Sequence, residues 1–283
     1  MKQRLKGHCA FVISRTGLPG RSPRVVVLAY HSVAPTGRVT PKLLEAHLAW
    51  IREHCEVIRF QDVLDAVGRS SRAKPAVAVT FDDGYRDNYD HALPLLLRYG
   101  VPATFFLTVG LIENDRAVVE RLRSLRGSFA DDVRPLDWRQ IVELRQAGHD
   151  LGAHTYSHPN IARLGEPQVE LELRRSKDVL EHRLGEGVTM MAYPFGKPGR
   201  HLGDKTIAAA QRVGYALAAT TVSRGIRPSD RRLALPRVLV RSRSDDVPAL
   251  SDKVRGAWDF LGRWQERAPA WAARLVSPDD FRV

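Results

Sequence analysis

Short apolar runs alternate along the chain with segments in which apolar residues recur at helical spacing. Seven of the runs predict β-strands, at residues 24–30, 76–81, 103–109, 150–154, 190–194, 216–219 and 237–240. They lack strict alternation of polar and apolar residues, which is typical of strands buried on both faces. The intervening segments predict helices at residues 41–53, 88–99, 138–147, 165–184 and 204–213. This alternation predicts an α/β fold with a parallel sheet, either open or closed into a barrel.

The two ends of the chain depart from this pattern. Residues 1–23 are basic and contain several Gly and Pro, which predicts an irregular N-terminal arm before a domain at residues 24–245. Residues 246–283 predict an amphipathic helical tail. Its apolar face would consist of Leu250, Val254, Trp258, Leu261 and Trp264. We expect this face to pack on the domain, and the alternative is contact with an anionic membrane surface.

The charge of the chain limits the classes of partner. There are 44 Lys and Arg against 32 Asp and Glu, which gives a net charge of +12. The basic residues are scattered and form no compact run, so we expect no nucleic-acid partner. The first residues contain only a short apolar stretch, and no run of about 18 apolar residues occurs. We therefore expect a cytoplasmic protein, or one peripheral at the inner face of the membrane.

Polar residues with chemical meaning follow two of the predicted strands. Asp82 and Asp83 come directly after the second strand, and His154 and His158 stand at the end of the fourth. The carboxyl ends of parallel strands form one rim, where ligands bind. Each pair taken alone also fits an ordinary loop. Together they predict a hydrolytic metal centre, with three ligands, an open coordination position and one spare carboxylate.

The spacing of the two histidines supports a shared site. Residues four apart come to one side if the segment makes a helical turn. The alternative is a pair of loop histidines that use the hydroxyl groups of Thr155 and Ser157 as partners. Two imidazoles and one carboxylate suit Zn²⁺, and also Co²⁺, Ni²⁺ or Fe²⁺. We therefore predict a divalent metal cofactor, with Zn²⁺ as the first choice.

Three further segments reach the same predicted rim. His31 ends the first strand, where it could also be an ordinary structural histidine. A turn shaped by Pro194 and Gly196 follows the fifth strand and can offer a free backbone N–H to an oxyanion. Arg237 enters the last strand, and a buried charge at that position needs a partner.

These motifs resemble those of the polysaccharide deacetylases of carbohydrate esterase family 4, which share the NodB homology domain. The matching segments, in order and spacing, are residues 80–85, 154–158 and 193–196. The resemblance extends over residues 24–240. Residues 28–33, which read Leu-Ala-Tyr-His-Ser-Val, resemble the branch that deacetylates poly-N-acetylglucosamine.

The resemblance implies a fold and a set of roles. The expected fold is a distorted (β/α) barrel with about seven parallel strands. The resemblance implies that Asp83, His154 and His158 bind the metal and that Asp82 is the general base. The metal would polarise a water and the acetamide carbonyl while Asp82 takes the water proton.

The resemblance also implies how substrate is held. The backbone N–H of Phe195 would hold the oxyanion of the tetrahedral intermediate. Tyr85, Tyr193 and Pro194 would contribute to substrate binding. An acid would then protonate the leaving amine as acetate is released.

Two departures from the family pattern require substitutes. The common pattern has an arginine just before the turn, paired with the base, but this chain has Ala192. We hypothesise that Arg237 supplies the charge, which requires it to lie within about 6 Å of Asp82. The common late histidine, which acts as the acid, is also missing, since no histidine follows His201. His31 is the natural substitute, because the resembling branch uses that histidine as the acid.

The combined prediction is a metal-dependent hydrolase that removes acetyl groups from N-acetylated sugars of a polysaccharide or its precursor. One alternative is an O-acetyl esterase on a glycan, because amide and ester hydrolysis pass through the same oxyanion. The other is a catalytically weak carbohydrate-binding homologue, because the usual arginine and late histidine are missing. The expected partner is an acetylated glycan or a lipid-linked sugar, and the sequence indicates no oligomeric state.

Overall fold

Eight strands form one parallel sheet at the centre of the structure. The structure is a computed structural model, and it describes residues 24–69, 73–126, 134–240 and 242–267. The strands are β1 Val25–Tyr30, β2 Glu56–Val57, β3 Ala76–Phe81, β4 Ala103–Leu107, β5 Asp150–Ala153, β6 Met190–Ala192, β7 Leu217–Ala219 and β8 Val238–Leu239. Their order is β7-β6-β5-β4-β3-β1-β8, with the short β2 paired to β3. All seven predicted strands are present, and sequence reasoning missed only the two-residue β2. The predicted N-terminal arm and the last 16 residues of the predicted tail lie outside the described residues.

Alternate residues of β1, β3, β4, β6 and β7 enter two different cores, which explains why these strands lack strict alternation of polar and apolar residues. In β1, Val26 and Leu28 belong to a large cluster that contains helix residues such as Leu44. Val25 and Val27 belong to a second cluster, on the opposite face of the sheet. The second cluster contains many small side chains, among them Ala76, Ala78, Ala192 and Ala219. Small residues on this face allow the sheet to curl tightly around it.

Ten α-helices in the described ranges surround the sheet. They are α1 Pro41–His54, α2 Val63–Gly68, α3 Leu93–Tyr99, α4 Val109–Ile112, α5 Arg116–Arg126, α6 Trp138–Gln146, α7 Glu166–Leu184, α8 Asp204–Val213, α9 Val247–Arg255 and α10 Asp259–Arg267. The predicted helix at residues 88–99 begins as a π-helical turn before α3. Sequence reasoning missed α2 and α4, which are too short to establish a period, and the strongly charged α5. No helix in this set is long and apolar enough to cross a lipid bilayer.

Local sequence explains where several of these helices begin and end. Thr40 caps α1 by accepting a hydrogen bond from the backbone N–H of Leu43. Asp137 and Gln140 form a reciprocal capping box at the start of α6. Gly185 ends α7 with a φ of 68°, a left-handed conformation that glycine adopts at little cost.

The segment that leads into β8 brings the two edges of the sheet together. Leu235 forms a parallel bridge with Ala219 at the end of β7, and Val238 pairs with Leu28 of β1. Arg237 lies between these two contacts and is fully buried. The predicted α/β fold, a distorted barrel with about seven parallel strands, is confirmed. The same closure carries Arg237 into the interior of the barrel.

The C-terminal segment forms two helices rather than the single amphipathic helix that its apolar spacing predicts. Gly256 separates them with a φ of 90°. This left-handed conformation favours glycine, and the guanidinium group of Arg24 packs directly against the residue. Leu250 and Val254 are buried in the large core, and Asp259 accepts two hydrogen bonds from Arg24, at 2.7 and 2.9 Å. This packing favours the interpretation in which the tail covers the domain, whereas the domain boundary at residue 245 stays a prediction.

The ion pair between Arg24 and Asp259 should stabilise the attachment of α10. Both side chains are 14% exposed and make a bidentate contact, so we expect a coupling energy of about 1–2 kcal/mol in a double-mutant cycle of Arg24→Ala and Asp259→Ala. The exposed pair of Arg116 and Glu120 provides the control, with an expected coupling below about 0.5 kcal/mol. Denaturant unfolding measures both, and equal coupling in the two cycles would contradict the assignment.

Candidate metal centre and active site

Three buried side chains converge at the carboxyl ends of β3 and β5. Asp83 follows β3, His154 follows β5, and His158 lies in the loop that continues from it. One ligand atom from each of the three residues lies within 4.8 Å of the other two. Asp83 Oδ1 is 3.5 Å from His154 Nε2 and 3.4 Å from His158 Nε2. The three residues predicted to bind a metal are therefore brought together.

The donor atoms of these three residues are better placed to bind a cation than to form hydrogen bonds with one another. Asp83 Oδ1 is buried and has no hydrogen-bond partner in the described part of the chain, which is costly unless a ligand is bound there. His154 Nδ1 donates a hydrogen bond to the carbonyl oxygen of Ala192 at 2.7 Å, which leaves the lone pair of Nε2 directed at the site. Burial lowers the pKa of both His154 and His158 to about 4. Both imidazoles are therefore neutral at pH 7, as metal binding requires.

The backbone at this site is strained at four non-glycine positions. Asp83, Thr155, His158 and Phe195 have φ values of 78°, 64°, 52° and 60°. Each left-handed residue costs about 1–3 kcal/mol, and such residues persist where the surrounding contacts determine them. The left-handed conformation of these residues turns the chain sharply after β3, β5 and β6. The turns direct the side chains of Asp83 and His158 toward one point.

Hydroxyl groups of the histidine loop hold the backbone and not the imidazole rings. Thr155 Oγ1 accepts a hydrogen bond from the backbone N–H of His158 at 3.1 Å. Ser157 Oγ donates to Glu172 at 2.7 Å. The alternative prediction, in which these hydroxyls are partners of the imidazoles of loop histidines, is therefore wrong.

The other aspartate of the pair, Asp82, forms a buried ion pair with Arg237. The two terminal nitrogens of Arg237 donate to Asp82 Oδ1 and Oδ2 at 2.7 and 2.8 Å. Burial by itself would raise the pKa of Asp82, but the charge and hydrogen bonds of Arg237 outweigh it and hold this pKa well below its usual range. Asp82 is therefore charged at neutral pH. The distance lies far inside the 6 Å that the sequence hypothesis requires.

Arg237 occupies the barrel interior in place of an arginine at position 192. Its Nη1 also donates to Thr80 Oγ1 at 3.0 Å, and its Nε donates to the carbonyl oxygen of Thr220 at 3.1 Å. The guanidinium carbon lies 5.4 Å from the ring centre of Phe106. Ala192 is fully buried and contributes its carbonyl oxygen to His154. The small side chain at this position leaves room for an arginine that arrives from β8.

His31 lies beside the ion pair at the mouth of the site. Its Nε2 is 3.9 Å from Asp82 Oδ2, beyond hydrogen-bond distance, and its side chain is 21% exposed, against 2% for Asp82. His31 Nδ1 has no hydrogen-bond partner within the described ranges. The ring can therefore reach both the carboxylate and a molecule in the cleft with small movements.

The turn after β6 presents a backbone donor. The N–H of Phe195 takes part in no hydrogen bond with any residue that the structure describes. The carbonyl oxygen of Pro194, in the same peptide as this N–H, accepts a hydrogen bond from the N–H of Gly196 at 2.7 Å, which orients the peptide. The carbonyl oxygen of Phe195 accepts from Thr221 Oγ1 at 2.6 Å. A Cβ atom at Gly196 would lie 2.7 Å from the backbone nitrogen of Thr221, so the turn can pack this closely only with glycine. The ring of Phe195 lies against His158, with 5.0 Å between ring centres.

The three residues predicted to bind substrate have different positions. Tyr85 lines the cleft above the metal ligands. Tyr193 is fully buried in the large core, and its hydroxyl donates to the carbonyl oxygen of Leu233 at 3.0 Å. Pro194 is buried as well and does not line the cleft. The alternation of side chains directs Tyr193 to the face of the sheet opposite Ala192, and a role of Tyr193 and Pro194 in substrate binding stays a prediction.

A cleft that is partly open to solvent lies over the site. Sequence reasoning missed much of its wall, which includes Arg38, Val39, Leu122, Leu125, Lys197, His201, Leu239 and Val240. Apolar spacing on α5 could have indicated a buried face for Leu122, but not the cleft that this face borders. His201 accepts a hydrogen bond from the backbone N–H of Lys197 at 3.3 Å and contacts the ring of Phe195.

Comparison with known proteins gives relatives of similar length. YxkH of Bacillus subtilis (strain 168), whose name assigns it provisionally to the polysaccharide deacetylases, is 27% identical over 86% of this chain and 78% of its own length. The poly-β-1,6-N-acetyl-D-glucosamine N-deacetylase of Staphylococcus aureus (strain MSSA476) is 22% identical over 74% of this chain and 69% of its own length. The solved structure of the Streptococcus pyogenes deacetylase PplD in complex with acetate is 25% identical. It covers 83% of this chain and 99% of its own, with a TM-score of 0.69.

The sequence model of the polysaccharide deacetylase family matches residues 69–218, more than half of the chain. The matched residues contain both the aspartate pair and the histidine pair. His31 and Arg237 lie outside the match, so their assignment depends on the geometry of the site. The chain belongs to the polysaccharide deacetylase family.

Proposed function

We propose that the protein is a metal-dependent hydrolase that removes N-acetyl groups from the sugars of a polysaccharide or its precursor and releases acetate. The observation that carries this proposal is an unpartnered buried carboxylate oxygen, Asp83 Oδ1, between two neutral imidazoles and next to the charged Asp82. The S. aureus relative, named as an N-deacetylase, and PplD, solved with acetate, support the same class of reaction.

Asp83, His154 and His158 would hold the metal. Their donor set suits Zn²⁺, with Co²⁺ or Ni²⁺ as alternatives. When bound, a divalent cation supplies a Lewis acid for the acetyl carbonyl and lowers the pKa of an attacking water. All three side chains line the cleft, so an acetylated sugar could approach them from solvent.

Asp82 would accept the proton of the attacking water. Arg237 orients both carboxylate oxygens and keeps Asp82 charged. A carboxylate with so low a pKa binds a proton weakly and passes it on readily. The nearest imidazole on the open side is His31, 3.9 Å from Asp82 Oδ2.

His31 would deliver a proton to the amine as it leaves. Attack of water on the acetyl carbon forms a tetrahedral oxyanion, to which the N–H of Phe195 can donate. The C–N bond then breaks, its electron pair remains on nitrogen, and His31 supplies the proton. Acetate and a free amino sugar result.

The alternative of a catalytically weak homologue rested on the missing arginine and the missing late histidine. Arg237 forms an ion pair with Asp82, and His31 lies beside that pair. These two residues could replace the missing arginine and the missing histidine, which weakens the case for a catalytically weak homologue. O-Acetyl ester hydrolysis would use the same residues, so amide and ester substrates must be compared directly.

Replacement of Asp82 should abolish the reaction without loss of metal. For Asp82→Asn we expect kcat for acetate release from N-acetylglucosamine oligomers to fall about 10²- to 10⁴-fold, because the proton acceptor is lost. Metal content measured on the same sample should be unchanged. Retention of more than a tenth of the activity by the folded variant would exclude Asp82 as the base. An O-acetylated glycan in parallel shows whether ester or amide is preferred.

Metal removal should be reversible. After dialysis against a chelator, acetate release should fall to background, and addition of Zn²⁺, Co²⁺ or Ni²⁺ should restore it, since the three ligands make no ion pair with another cation in the described part of the chain. Asp83→Ala provides the control and should not recover at the same metal concentration. Full activity in chelated protein whose metal content is negligible would contradict the proposed site.

The role of His31 can be tested with leaving groups of different basicity. In His31→Ala, acetamide hydrolysis should slow by about 10²-fold or more, because the amine must be protonated to leave. Hydrolysis of an activated acetate ester, whose leaving group needs no proton, should slow much less. Equal slowing of both reactions would show that His31 is not the acid.

A further inference from the structure

One carboxylate that does not line the cleft holds the loop between the two histidines. Glu172 Oε2 accepts hydrogen bonds from the backbone N–H groups of Tyr156, at 3.1 Å, and Ser157, at 2.8 Å. Glu172 Oε1 accepts one from the hydroxyl of Ser157 at 2.7 Å. We propose that Glu172 is a positioning residue that fixes the geometry of the His154 and His158 ligands and thereby sets the metal affinity. This inference rests on the proposed metal-dependent function.

The loop depends on external contacts because its own conformation is strained. Thr155 and His158 are both left-handed. Two successive N–H groups, from Tyr156 and Ser157, point at one oxygen of Glu172, an arrangement that favours an anion. Without an acceptor there, nothing else in the described structure would hold these two donors.

The carbonyl side of the same peptides is held by α4. The carbonyl oxygens of Thr155 and Tyr156 accept hydrogen bonds from the N–H groups of Val109, at 3.3 Å, and Gly110, at 2.8 Å. A Cβ atom at Gly110 would lie 2.7 Å from the carbonyl oxygen of Tyr156, so the two segments can approach only because this residue is glycine. The loop is therefore clamped between α4 and Glu172. Loss of either set of hydrogen bonds would allow the peptides between His154 and His158 to move.

Glu172 comes from a rigid element. The next residue of α7, Leu173, is fully buried in the core, and its carbonyl oxygen accepts a hydrogen bond from the hydroxyl of Tyr215 at 3.0 Å. Packing of Leu173 in the core therefore fixes the position of Glu172 beside the loop. Arg175, one turn further along α7, places its guanidinium carbon 3.4 Å from the ring centre of Tyr156 and adds a second contact between helix and loop.

Glu172 has contacts of a different kind from those of Glu170 and Glu181 on the same helix. Glu170 pairs with Arg174 and Arg212, and Glu181 pairs with Lys177. Glu172 makes no ion pair with any residue that the structure describes, and its three hydrogen bonds all go to the histidine loop. A carboxylate bonded to three neutral donors stabilises them more strongly than a neutral acceptor would.

The test compares metal affinity in variants of the full chain. Zn²⁺ binding is measured by competition with a chromophoric chelator, a readout that does not require turnover. For Glu172→Ala we expect a 10- to 100-fold weaker affinity, the range typical for residues that orient metal ligands. Glu172→Gln keeps an oxygen acceptor for the backbone donors, so its loss should be smaller. Glu170→Ala is the matched control, with the same helix and the same charge change, and should bind within about twofold of the unaltered chain.

Spectroscopy of the site provides a second readout. Co²⁺ bound to Glu172→Ala should give a visible absorption spectrum altered in position or intensity, because the ligands are less well fixed. The spectrum of Glu170→Ala should match that of the unaltered chain. If Glu172→Ala does not fold, Ser157→Ala removes one of the three hydrogen bonds and should weaken Zn²⁺ binding by about 3- to 10-fold.

The outcomes separate this inference from the proposed function. Unchanged Zn²⁺ affinity in Glu172→Ala, or in Ser157→Ala if the former does not fold, would overturn the role of Glu172 and leave the metal site intact. Equal weakening in Glu172→Ala and Glu170→Ala would also overturn it, since a general charge effect would then suffice. Failure of the unaltered chain to bind Zn²⁺, Co²⁺ or Ni²⁺ would overturn both proposals.

Discussion

The ion pair between Arg237 and Asp82 is the interaction on which both the barrel and the site depend. Arg237 is fully buried, and its guanidinium group makes four hydrogen bonds, to Thr220, Thr80 and both oxygens of Asp82. These partners belong to the ends of β3 and β7, so one side chain joins both sides of the barrel seam. Removal of one partner from a buried pair costs about 3–5 kcal/mol, because the other charge is left without compensation. The same side chain therefore bridges strand ends of the barrel and keeps the candidate base charged in a buried position.

The ion pair also determines what charge remains in the site. Arg237 neutralises Asp82, and burial keeps His154 and His158 uncharged at pH 7. Asp83 is then the one ligand that brings a negative charge. A divalent cation would be held by a single anionic ligand and two neutral ones, a set that leaves the cation strongly electrophilic. The two adjacent aspartates therefore have different roles, because Arg237 neutralises the charge of Asp82 while the charge of Asp83 would bind a metal ion.

The strained backbone explains why the site needs support from several layers of the fold. The left-handed residues Asp83, His158 and Phe195 each follow a strand of the sheet and each aim a functional group at the same cleft. Each conformation is held by a hydrogen bond to the backbone: the N–H of Thr108 donates to the carbonyl oxygen of Asp83, the hydroxyl of Thr221 donates to that of Phe195, and the N–H of His158 donates to Thr155 Oγ1. The precision of the site therefore depends on hydrogen bonds to the backbone as well as on the functional side chains.

The sequence by itself determined the strands, most helices and the local motifs. Apolar runs predict buried strands because burial on both faces excludes polar residues, and Asp82, Asp83, His154 and His158 were identifiable because each pair is close in sequence.

Tertiary structure decided the contacts between distant residues. Arg237 could be hypothesised as a partner only with the help of a family resemblance. Glu172 carried no sequence signal, because a glutamate in a charged helix looks like a solvated residue. The side chain of Tyr193 lies in the large core and not in the cleft, and the tail is divided into two helices at Gly256, where φ is 90°. In each case the outcome depended on which strand ends and helices meet in space, and this is fixed by packing of the whole sheet rather than by local sequence.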